Sequence, residues 1–580
     1  MSTETDNRHS REDALEERGY VAYLKRRIDH LETLNNSSQA IGVHNATETV
    51  GGDTTDFVSP QQRLVDAAVN EVEYLSVAAM SGPKRPHQVV LNNSFFASLV
   101  TAASKMAQED LSALSGRQDP AELTVGKFRE ITLQTGRDCR YFIKCCHHNI
   151  GLLFPCIFTE VSVESFGTMF VDRPDDDDAS VPDDKPPEVA CIAYATLCLG
   201  IASSPYRRAL VAHAYDFAAR ALALLPKLTA EASDKEMVRC MALVALVSLQ
   251  FCRESSSMYL LGLAMTRAIS TGMHRGNADM TDETRGSPLF WTLYVLDRTL
   301  SVVTGRPFQI EDGDIDLEMP QGVVHAPHSQ SGLHLQSFFM WTVQYAQMLS
   351  DWRCGPRAEI TVCLSSLKYW YQSSEDIIDV MGMAEDLQSA DKPRLRAILG
   401  MHKEQLNCRA LLQLLGHSIQ RSLEEETREL LRGRLNQEAP RYFSNVQLCI
   451  DKYDFAPTVL DVVDILGATI AYIYSCQVCT TIETQYQGPQ LAMAFAISDM
   501  KIVMTAMGVL HKIADVLVLA EDFHEFLWIL LSTVEKKTQT APARPTQSVE
   551  DDPCNVLDRA MARVGITMPS YWAQLIGECT

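Results

Sequence analysis

Two groups of aspartates have the side chains that bind magnesium or calcium. The run 175–178 is four aspartates, and on a helix facing a cavity such residues can hold Mg²⁺ against a diphosphate. Prolines on both sides of the run prevent a regular helix, so we interpret it as a solvated loop. Asp312, Asp314 and Asp316 match the first three ligand positions of a calcium loop, but Leu317 and Val323 replace its glycine and its bidentate glutamate. Neither group predicts a metal site.

Two cysteine groups have side chains that bind zinc. Cys145, Cys146, His147 and His148 are consecutive, and adjacent ligands on one helix point about 100° apart, so they cannot close on one ion. Cys476 and Cys479 form a CxxC pair without a second pair at finger spacing. Since unpaired cysteines are most often buried, we predict that both groups pack in a core.

The composition and the motifs argue against an enzyme and against direct nucleic-acid binding by this chain. The patterns GxxxxGK[ST], GxGxxG, GxSxG and HExxH do not occur in the sequence. We therefore predict no catalytic residue, no metal ligand and no cofactor within the chain. Its 51 basic and 74 acidic residues give a net charge of −23, so no overall positive field attracts DNA, and we identify no DNA-binding residue.

Helical periodicity extends from about residue 61 to residue 535. Apolar residues recur at i, i+3, i+4 and i+7, which predicts an all-α fold with one large multi-helix domain. The acidic, proline-rich stretch 172–188 predicts a loop, 536–553 a linker, and 554–580 a final amphipathic segment. The uncharged stretches Val189–Tyr206 and Ile465–Ile482 contain polar residues, so we predict buried helices with no membrane contact.

A short coiled coil is predicted at 20–35, between a polar, disordered stretch at 1–19 and a linker at 36–60. Apolar residues there are spaced by 3, 4 and 3, and an arginine and a glutamate occupy flanking positions that a parallel partner could pair. The alternative is a single amphipathic helix that docks on its own protein. The predicted dimerisation residues are Val21, Leu24, Arg27, Ile28, Leu31 and Glu32.

The most specific pattern lies at residues 264–320. It reads AMTRAISTGMHRGNADMTDETRGSPLFWTLYVLDRTLSVVTGRPFQIEDGDIDLEMP and closely resembles the middle homology region of fungal zinc-cluster transcription factors, with its "GLHR", "FW.LY.LDR..S" and "GRP..I.D.DID...P" elements. Weaker resemblance extends over about 70–530. The motif residues singled out are His274, Arg275, Trp291, Asp297, Arg298, Gly305, Arg306, Pro307, Asp312 and Asp316.

The motif residues are expected first to hold the fold together. Asp297 and Arg298 lie on an otherwise apolar helix and need partners if they are buried. Arg306, on a rigid turn, could reach helix ends or carboxylates, while the three aspartates at 312–316 could cap helices or pair with arginines. A site for a small-molecule inducer is the alternative role of these residues.

The resemblance implies a six-cysteine zinc cluster and a basic helix, and both are missing from the amino-terminal part of this sequence. The first cysteine is Cys139, and residues 1–35 contain eight acidic and six basic residues. Zinc, and DNA contact through it, are therefore expected only if a cluster is encoded upstream. Gly286, Ser287 and Pro288 also replace the basic pair that the family commonly has there.

The resemblance implies a nuclear regulator of transcription with an inhibitory or inducer-responsive helical domain. We expect a homodimer, or a heterodimer with a related regulator. The alternative is a cluster-less helical co-regulator or metabolite-sensing module that acts by protein contact without DNA binding. An all-α enzyme acting on an apolar substrate is a third and weaker alternative, because no acid/base or metal constellation remains.

Overall fold

The computed structural model describes part of the chain, all of it within residues 73–580, which form one unit. The predicted coiled coil at 20–35, its flanking segments and most of the acidic loop at 172–188 lie outside the described residues. The described residues are 93–115, 136–154, 157, 186–204, 206–207, 209–251, 254–276, 288–319, 330–354, 359–383, 391–420, 425–453, 455, 457–486, 489–514, 517–539, 552–563, 568 and 570–579.

Helices make up nearly all of these residues, which confirms the predicted all-α fold. In the described ranges the one extended pairing is an isolated bridge between Arg275 and Asp316. The first seven helices are α1 Asn93–Ser115, α2 Gly136–Leu153, α3 Pro187–Ala202, α4 Val211–Glu231, α5 Asp234–Phe251, α6 Glu254–Ser270 and α7 Pro288–Thr304. After a 3-10 turn, η1 Asp312–Asp314, follow α8 Gln330–Cys354, α9 Ile360–Met383, α10 Asp391–Gln420, α11 Glu425–Tyr453, α12 Val459–Tyr486, α13 Pro489–Ala514, α14 Val518–Gln539, α15 Pro553–Arg563 and α16 Ser570–Cys579.

Helix α3 lies at the centre of the amino-terminal group, in contact with α2, α4 and α5. It starts with Pro187 and Glu188, which suit the first turn of a helix, and it is buried from Ala190 to Ala202. At Gly200 a Cβ atom would overlap the carbonyl oxygen of Phe142 on α2. Glycine therefore allows α2 and α3 to approach at backbone distance.

Helix α7 contacts α6 on one side and α8 on the other. Every residue from Leu289 to Thr304 is buried, so the apolar stripe in the sequence understates how completely the helix is covered. Burial on all sides forces the charged pair Asp297 and Arg298 to find partners inside the protein.

The carboxy-terminal helices share one hydrophobic core that extends from Val302 to Ile576. Helix α16 packs against α10 and α12, where a Cβ atom at Gly416 would lie 2.7 Å from Cγ of Tyr571 and one at Gly467 would lie 2.8 Å from Cζ2 of Trp572. The amphipathic segment predicted at the carboxy terminus is thus part of the core, as α15 and α16. Helix α14 continues past the predicted boundary at 535 to Gln539.

Helix α12 contains an 18-residue window, Val459–Cys476, that is long and apolar enough to cross a membrane. Of this window 83% is buried inside the protein, as in a core helix. The stretch predicted as a buried helix at Ile465–Ile482 overlaps it, and the one at Val189–Tyr206 overlaps α3.

Candidate functional site

A glycine cap ends α6 and turns the chain into the motif region. The N–H of Met273 donates to the carbonyl of Ala268 at 2.9 Å and that of Gly272 donates to Ile269 at 3.0 Å, the two bonds of a Schellman cap. Gly272 has φ = +77°, the left-handed conformation that this cap requires and that glycine adopts without strain. The cap fixes the direction in which His274 and Arg275 leave the helix.

A second glycine follows the last turn of α7. Gly305 has φ = +71°, and Pro307 stands where the helix cannot continue. Arg353 on α8 donates to the carbonyl oxygens of Ser301 at 3.3 Å and Gly305 at 3.2 Å. These helix-end carbonyls are thus bound by Arg353, which the sequence motif does not include, while Arg306 lies half-buried in the turn.

Asp297 and Arg298 form an ion pair that is completely buried. Arg298 Nη1 donates to Asp297 Oδ2 at 2.5 Å, and both side chains have 0% exposure. The backbone N–H of Gln309 donates to Asp297 at 3.3 Å, and the Ser301 hydroxyl lies 3.4 Å from its other oxygen. Donors from α7 and from the segment after it therefore surround the carboxylate.

Asp312, in η1, connects this pair to Tyr294 on the same helix and to Ser350 on α8. Its Oδ1 accepts from Arg298 Nη2 at 3.1 Å and from the Tyr294 hydroxyl at 2.6 Å, and its Oδ2 accepts from the Ser350 hydroxyl on α8. Arg298 Nη2 also donates to the carbonyl of Ile310 at 2.8 Å. We call the side chains of Tyr294, Asp297, Arg298, Asp312 and Ser350 the motif cluster.

The Arg298 guanidinium also lies against two aromatic rings. Its central carbon is 4.1 Å from the ring centroid of Tyr294 and 4.3 Å from that of Phe308, distances typical of cation–π contacts. Because a guanidinium is planar and weakly hydrated, it tolerates this environment better than an ammonium group would.

Burial favours the neutral form of both members of the pair, and the neighbouring groups oppose it. Burial raises the pKa of Asp297 to about 6, although Arg298 and the Gln309 N–H favour the charged carboxylate. For Arg298, burial lowers the pKa, but Asp297, Tyr294 and Asp312 outweigh it, so the net shift is upward and the guanidinium stays charged.

Three further motif residues hold the chain segments on either side of α7. The N–H of Asp316 donates to the carbonyl of His274 at 3.0 Å, and the N–H of Gly276 donates to the carbonyl of Asp316 at 2.5 Å. The Trp291 indole donates to the carbonyl of Glu318 at 3.2 Å. Burial, and secondly Arg275, lowers the pKa of His274 to about 4, so this histidine is neutral at neutral pH.

The motif cluster is occupied by its own bonds. Both oxygens of Asp297 and both of Asp312 accept hydrogen bonds, and in the described residues the Arg298 Nε atom is the cluster's one buried polar atom without a partner. Such an arrangement fixes the position of α7 against η1 and α8. It leaves little capacity for a ligand.

A second buried polar cluster joins α10 to α12. Arg409 donates from Nε to Asp464 Oδ1 at 2.9 Å and from Nη2 to Asp464 Oδ2. Gln405 Nε2 donates at 2.7 Å to Asp461 and at 2.7 Å to Asp464, while Gln405 Oε1 lies 2.9 Å from His402 Nδ1. We call these five residues the α10–α12 cluster.

The sequence analysis missed this cluster. His402, Gln405 and Arg409 are spaced i, i+3, i+7 and so share one helix face, and Asp461 and Asp464 are spaced i, i+3 on the next apolar helix. Polar residues that share one face of a helix, on α10 and again on the apolar helix α12, are a signal that could have found it. The sequence does not show that the two faces meet.

The candidate metal groups do not assemble where the structure describes them. Cys145 and Cys146 are buried in α2, and Asp312 belongs to the motif cluster. Within the described residues no group of three or more His, Cys, Asp or Glu side chains is placed to hold a metal ion. The side chain of Cys479 and the predicted dimerisation residues at 21–32 lie outside the described residues.

This all-helical domain, with its motif cluster beside α7, matches a known family. The sequence profile of the fungal specific transcription factor domain matches residues 140–336, which include the whole motif at 264–320. The resemblance stated from the motif residues is therefore confirmed, for residues 140–336.

Curated relatives with similar sequence are transcriptional regulatory proteins of yeasts. An uncharacterized one from Schizosaccharomyces pombe is 30% identical over 101 residues, 17% of this chain and 13% of the relative. One from Saccharomyces cerevisiae is 34% identical over 83 residues, 13% of this chain and 11% of the relative. The chain thus spans only a small part of the length of the relatives it matches.

Proposed function

We propose that the chain is a fungal-type transcription regulator that acts in the nucleus and controls genes read by RNA polymerase II. The observation that carries the proposal is the match of residues 140–336 to the fungal specific transcription factor domain. The names of the relatives agree with it and point to a protein that is not an enzyme. In this proposal the helical domain is the regulatory part.

Contact with DNA is proposed by family inference alone. The family reads DNA through a zinc cluster, and this chain would do so only through a cluster encoded upstream or through a partner subunit. A homodimer or a heterodimer with a related regulator would form through Val21, Leu24, Ile28 and Leu31, with Arg27 and Glu32 pairing across the seam. A small-molecule inducer is a further proposed partner.

The second candidate is a helical co-regulator that acts through protein contacts without reading DNA. The net charge of −23 and the excess of acidic over basic residues in 1–35 favour it. Mapping the 5′ end of the messenger RNA separates the two candidates. A start upstream, through an in-frame six-cysteine cluster, supports the first, and a start at Met1 supports the second.

The proposed function is tested by tagging the chromosomal copy and combining chromatin immunoprecipitation with transcript sequencing of a deletion strain. We expect enrichment at promoters of genes whose transcripts change on deletion. Absence of the protein from chromatin together with unchanged transcripts would contradict a role in transcription.

The proposed dimer is tested by replacing Leu24 and Ile28 with lysine, which places charge in the seam. The expected result is a lower sedimentation coefficient. The matched control replaces Ser37 and Ser38, in the predicted linker, with lysine and leaves sedimentation unchanged. Unchanged sedimentation of the Leu24/Ile28 variant would exclude this dimer.

A further inference from the structure

A cavity lies beside the α10–α12 cluster, at the junction between the family-matched region and the carboxy-terminal helices. Its volume, measured as the space open to the centre of a water molecule, is about 80 Å³. It is lined by residues of α2, α3, α5 and α7 together with residues of α8, α10 and α12. Half of the twenty lining residues are polar, but the surface that the lining exposes to the cavity is mainly apolar, with contributions from Leu199, Leu246, Val295 and Phe455.

His402 presents an unused hydrogen-bond acceptor in this lining. Gln405 turns its NH₂ group towards the carboxylates of Asp461 and Asp464, so its oxygen faces His402 and accepts from Nδ1–H. Burial lowers the pKa of His402 and keeps the ring neutral. The lone pair is then on Nε2, which has no partner among the described residues although His402 is only 3% exposed.

Asn149, on α2, supplies a second unused acceptor to the same cavity. Its NH₂ group donates to the carbonyl oxygens of Cys145 at 2.9 Å and Ser203 at 3.2 Å. Because carbonyl oxygens can only accept, this fixes the orientation of the amide and leaves Oδ1 as the free end. Oδ1 is buried without a partner among the described residues. Two acceptors in the lining of the cavity, His402 Nε2 and Asn149 Oδ1, thus lack donors among the described residues.

The charges in the lining disfavour an anion. Arg409 is the cation among the described lining residues, and it already forms a two-point pair with Asp464. Asp461, the anion in the lining, accepts from Gln405 and from the backbone and side chain of Thr458. A carboxylate or phosphate ligand would therefore meet a paired guanidinium and a second carboxylate.

We propose that this cavity binds a small, neutral, mainly apolar molecule whose hydroxyl or N–H groups donate hydrogen bonds to His402 Nε2 and Asn149 Oδ1. A buried water molecule needs two to four polar partners, so a cavity whose wall surface is mainly apolar suits an organic molecule better than water. The ligand would contact the family-matched region and the carboxy-terminal helices at once. Its binding would stabilise their contact by mass action.

The biological meaning of this ligand site rests on the regulatory function proposed above. Titration of the purified 580-residue chain, by contrast, tests ligand binding to the cavity alone. Loss of chromatin enrichment would overturn the proposed function and leave the titration result standing. The probes are 4-propylphenol, 4-propylanisole and 4-propylbenzoate, which share an apolar body and differ in the polar end. The phenol donates a hydrogen bond, the ether cannot donate, and the benzoate is an anion.

We expect isothermal titration to show binding of the phenol about tenfold or more tighter than of the anisole, since one buried acceptor finds its donor only with the phenol. The benzoate should bind at least as weakly as the anisole. Equal affinity for phenol and anisole, preference for the benzoate, or no binding of any probe would overturn the proposal, the last because it leaves the cavity to water.

Two variants test whether the probe binds in this cavity. Leu246→Phe fills the space and should abolish binding, while the same change at the exposed Leu430 should not. His402→Phe removes the acceptor and should reduce the preference for phenol over anisole to about twofold or less. The exposed His511→Phe should keep the preference. Retained phenol binding in a folded Leu246→Phe variant would overturn the assignment. If His402→Phe fails to fold, the three-probe comparison on the unaltered chain still decides the proposal.

Discussion

The motif cluster and the α10–α12 cluster both bury an arginine–aspartate pair, yet they differ in what surrounds it. Arg298 and Asp297 are neighbours on α7, enclosed by two aromatic rings, η1 and α8. Arg409 and Asp464 come from different helices and stand beside a cavity, with an unpartnered His402 nitrogen in its wall. A buried polar cluster by itself is therefore a poor marker of a site. Adjacent space and unsatisfied polar atoms distinguish the second cluster.

The largest expected effect is that of Arg298→Met. It leaves the Asp297 carboxylate buried without its ion-pair partner, which should lower the free energy of unfolding by about 3–5 kcal/mol. Urea denaturation followed by circular dichroism measures the change. Arg396→Met is the control, because Arg396 pairs with Asp379 but is exposed, and its loss should cost about 0–1 kcal/mol. Similar losses in both variants would contradict an anchoring role for the motif cluster.

The next largest effect is a pH dependence of the free energy of unfolding that arises from Asp297. Its pKa rises from 3.8 when unfolded to about 6 when folded, so the folded state binds this proton more tightly. The contribution to stability is complete below pH 4, declines as pH rises to about 6 and is lost above that. About two pKa units correspond to roughly 3 kcal/mol.

Denaturation of the unaltered chain and of Asp297→Asn at several pH values between 4 and 7 isolates this contribution. Relative to Asp297→Asn, the free energy of unfolding of the unaltered chain should be higher at pH 4 than at pH 7. A difference independent of pH would show that Asp297 ionises as it does in the unfolded chain.

A double-mutant cycle on Arg409 and Asp464 measures how strongly the pair in the α10–α12 cluster is coupled. Arg409→Met and Asp464→Leu should each destabilise, because each leaves one buried charge unpaired. The double variant should be less destabilised than the sum of the singles by about 2 kcal/mol. Additive losses would mean that the pair is not coupled and that the cavity wall does not depend on it.

The smallest effect concerns the end of α7. Gly305→Ala adds a Cβ atom to a residue with left-handed backbone conformation. Because this Cβ would have no neighbour within 4 Å, only backbone strain of about 1–2 kcal/mol is expected. Gly313→Ala also has open space and has no left-handed φ, and it should cost about 0.5 kcal/mol or less. Thermal unfolding compares them, and equal midpoints would contradict the helix-end cap.

Much of the fold was predictable because its signals are local. Helical periodicity predicted the all-α class. Gly272 and Gly305 follow helix ends and adopt the left-handed conformation there. The apolar helix around Asp297 and Arg298 also predicted that these two residues need partners if they are buried, but it did not predict that they pair with each other. The part played by Arg353 and Ser350, on α8, was not predictable, because contacts between distant segments leave no periodic trace.

The amino-acid sequence by itself determined the helices, their glycine caps and the match of residues 140–336 to the fungal specific transcription factor domain, because these depend on neighbouring residues and on an ordered motif. Only the tertiary structure decided that η1 folds back onto Arg298, that α16 packs at Gly416 and Gly467, and that His402 faces the same cavity as Asn149. The reason is physical. Side-chain pairing and empty space depend on how helices separated by tens to hundreds of residues pack, and many packings satisfy the same local pattern.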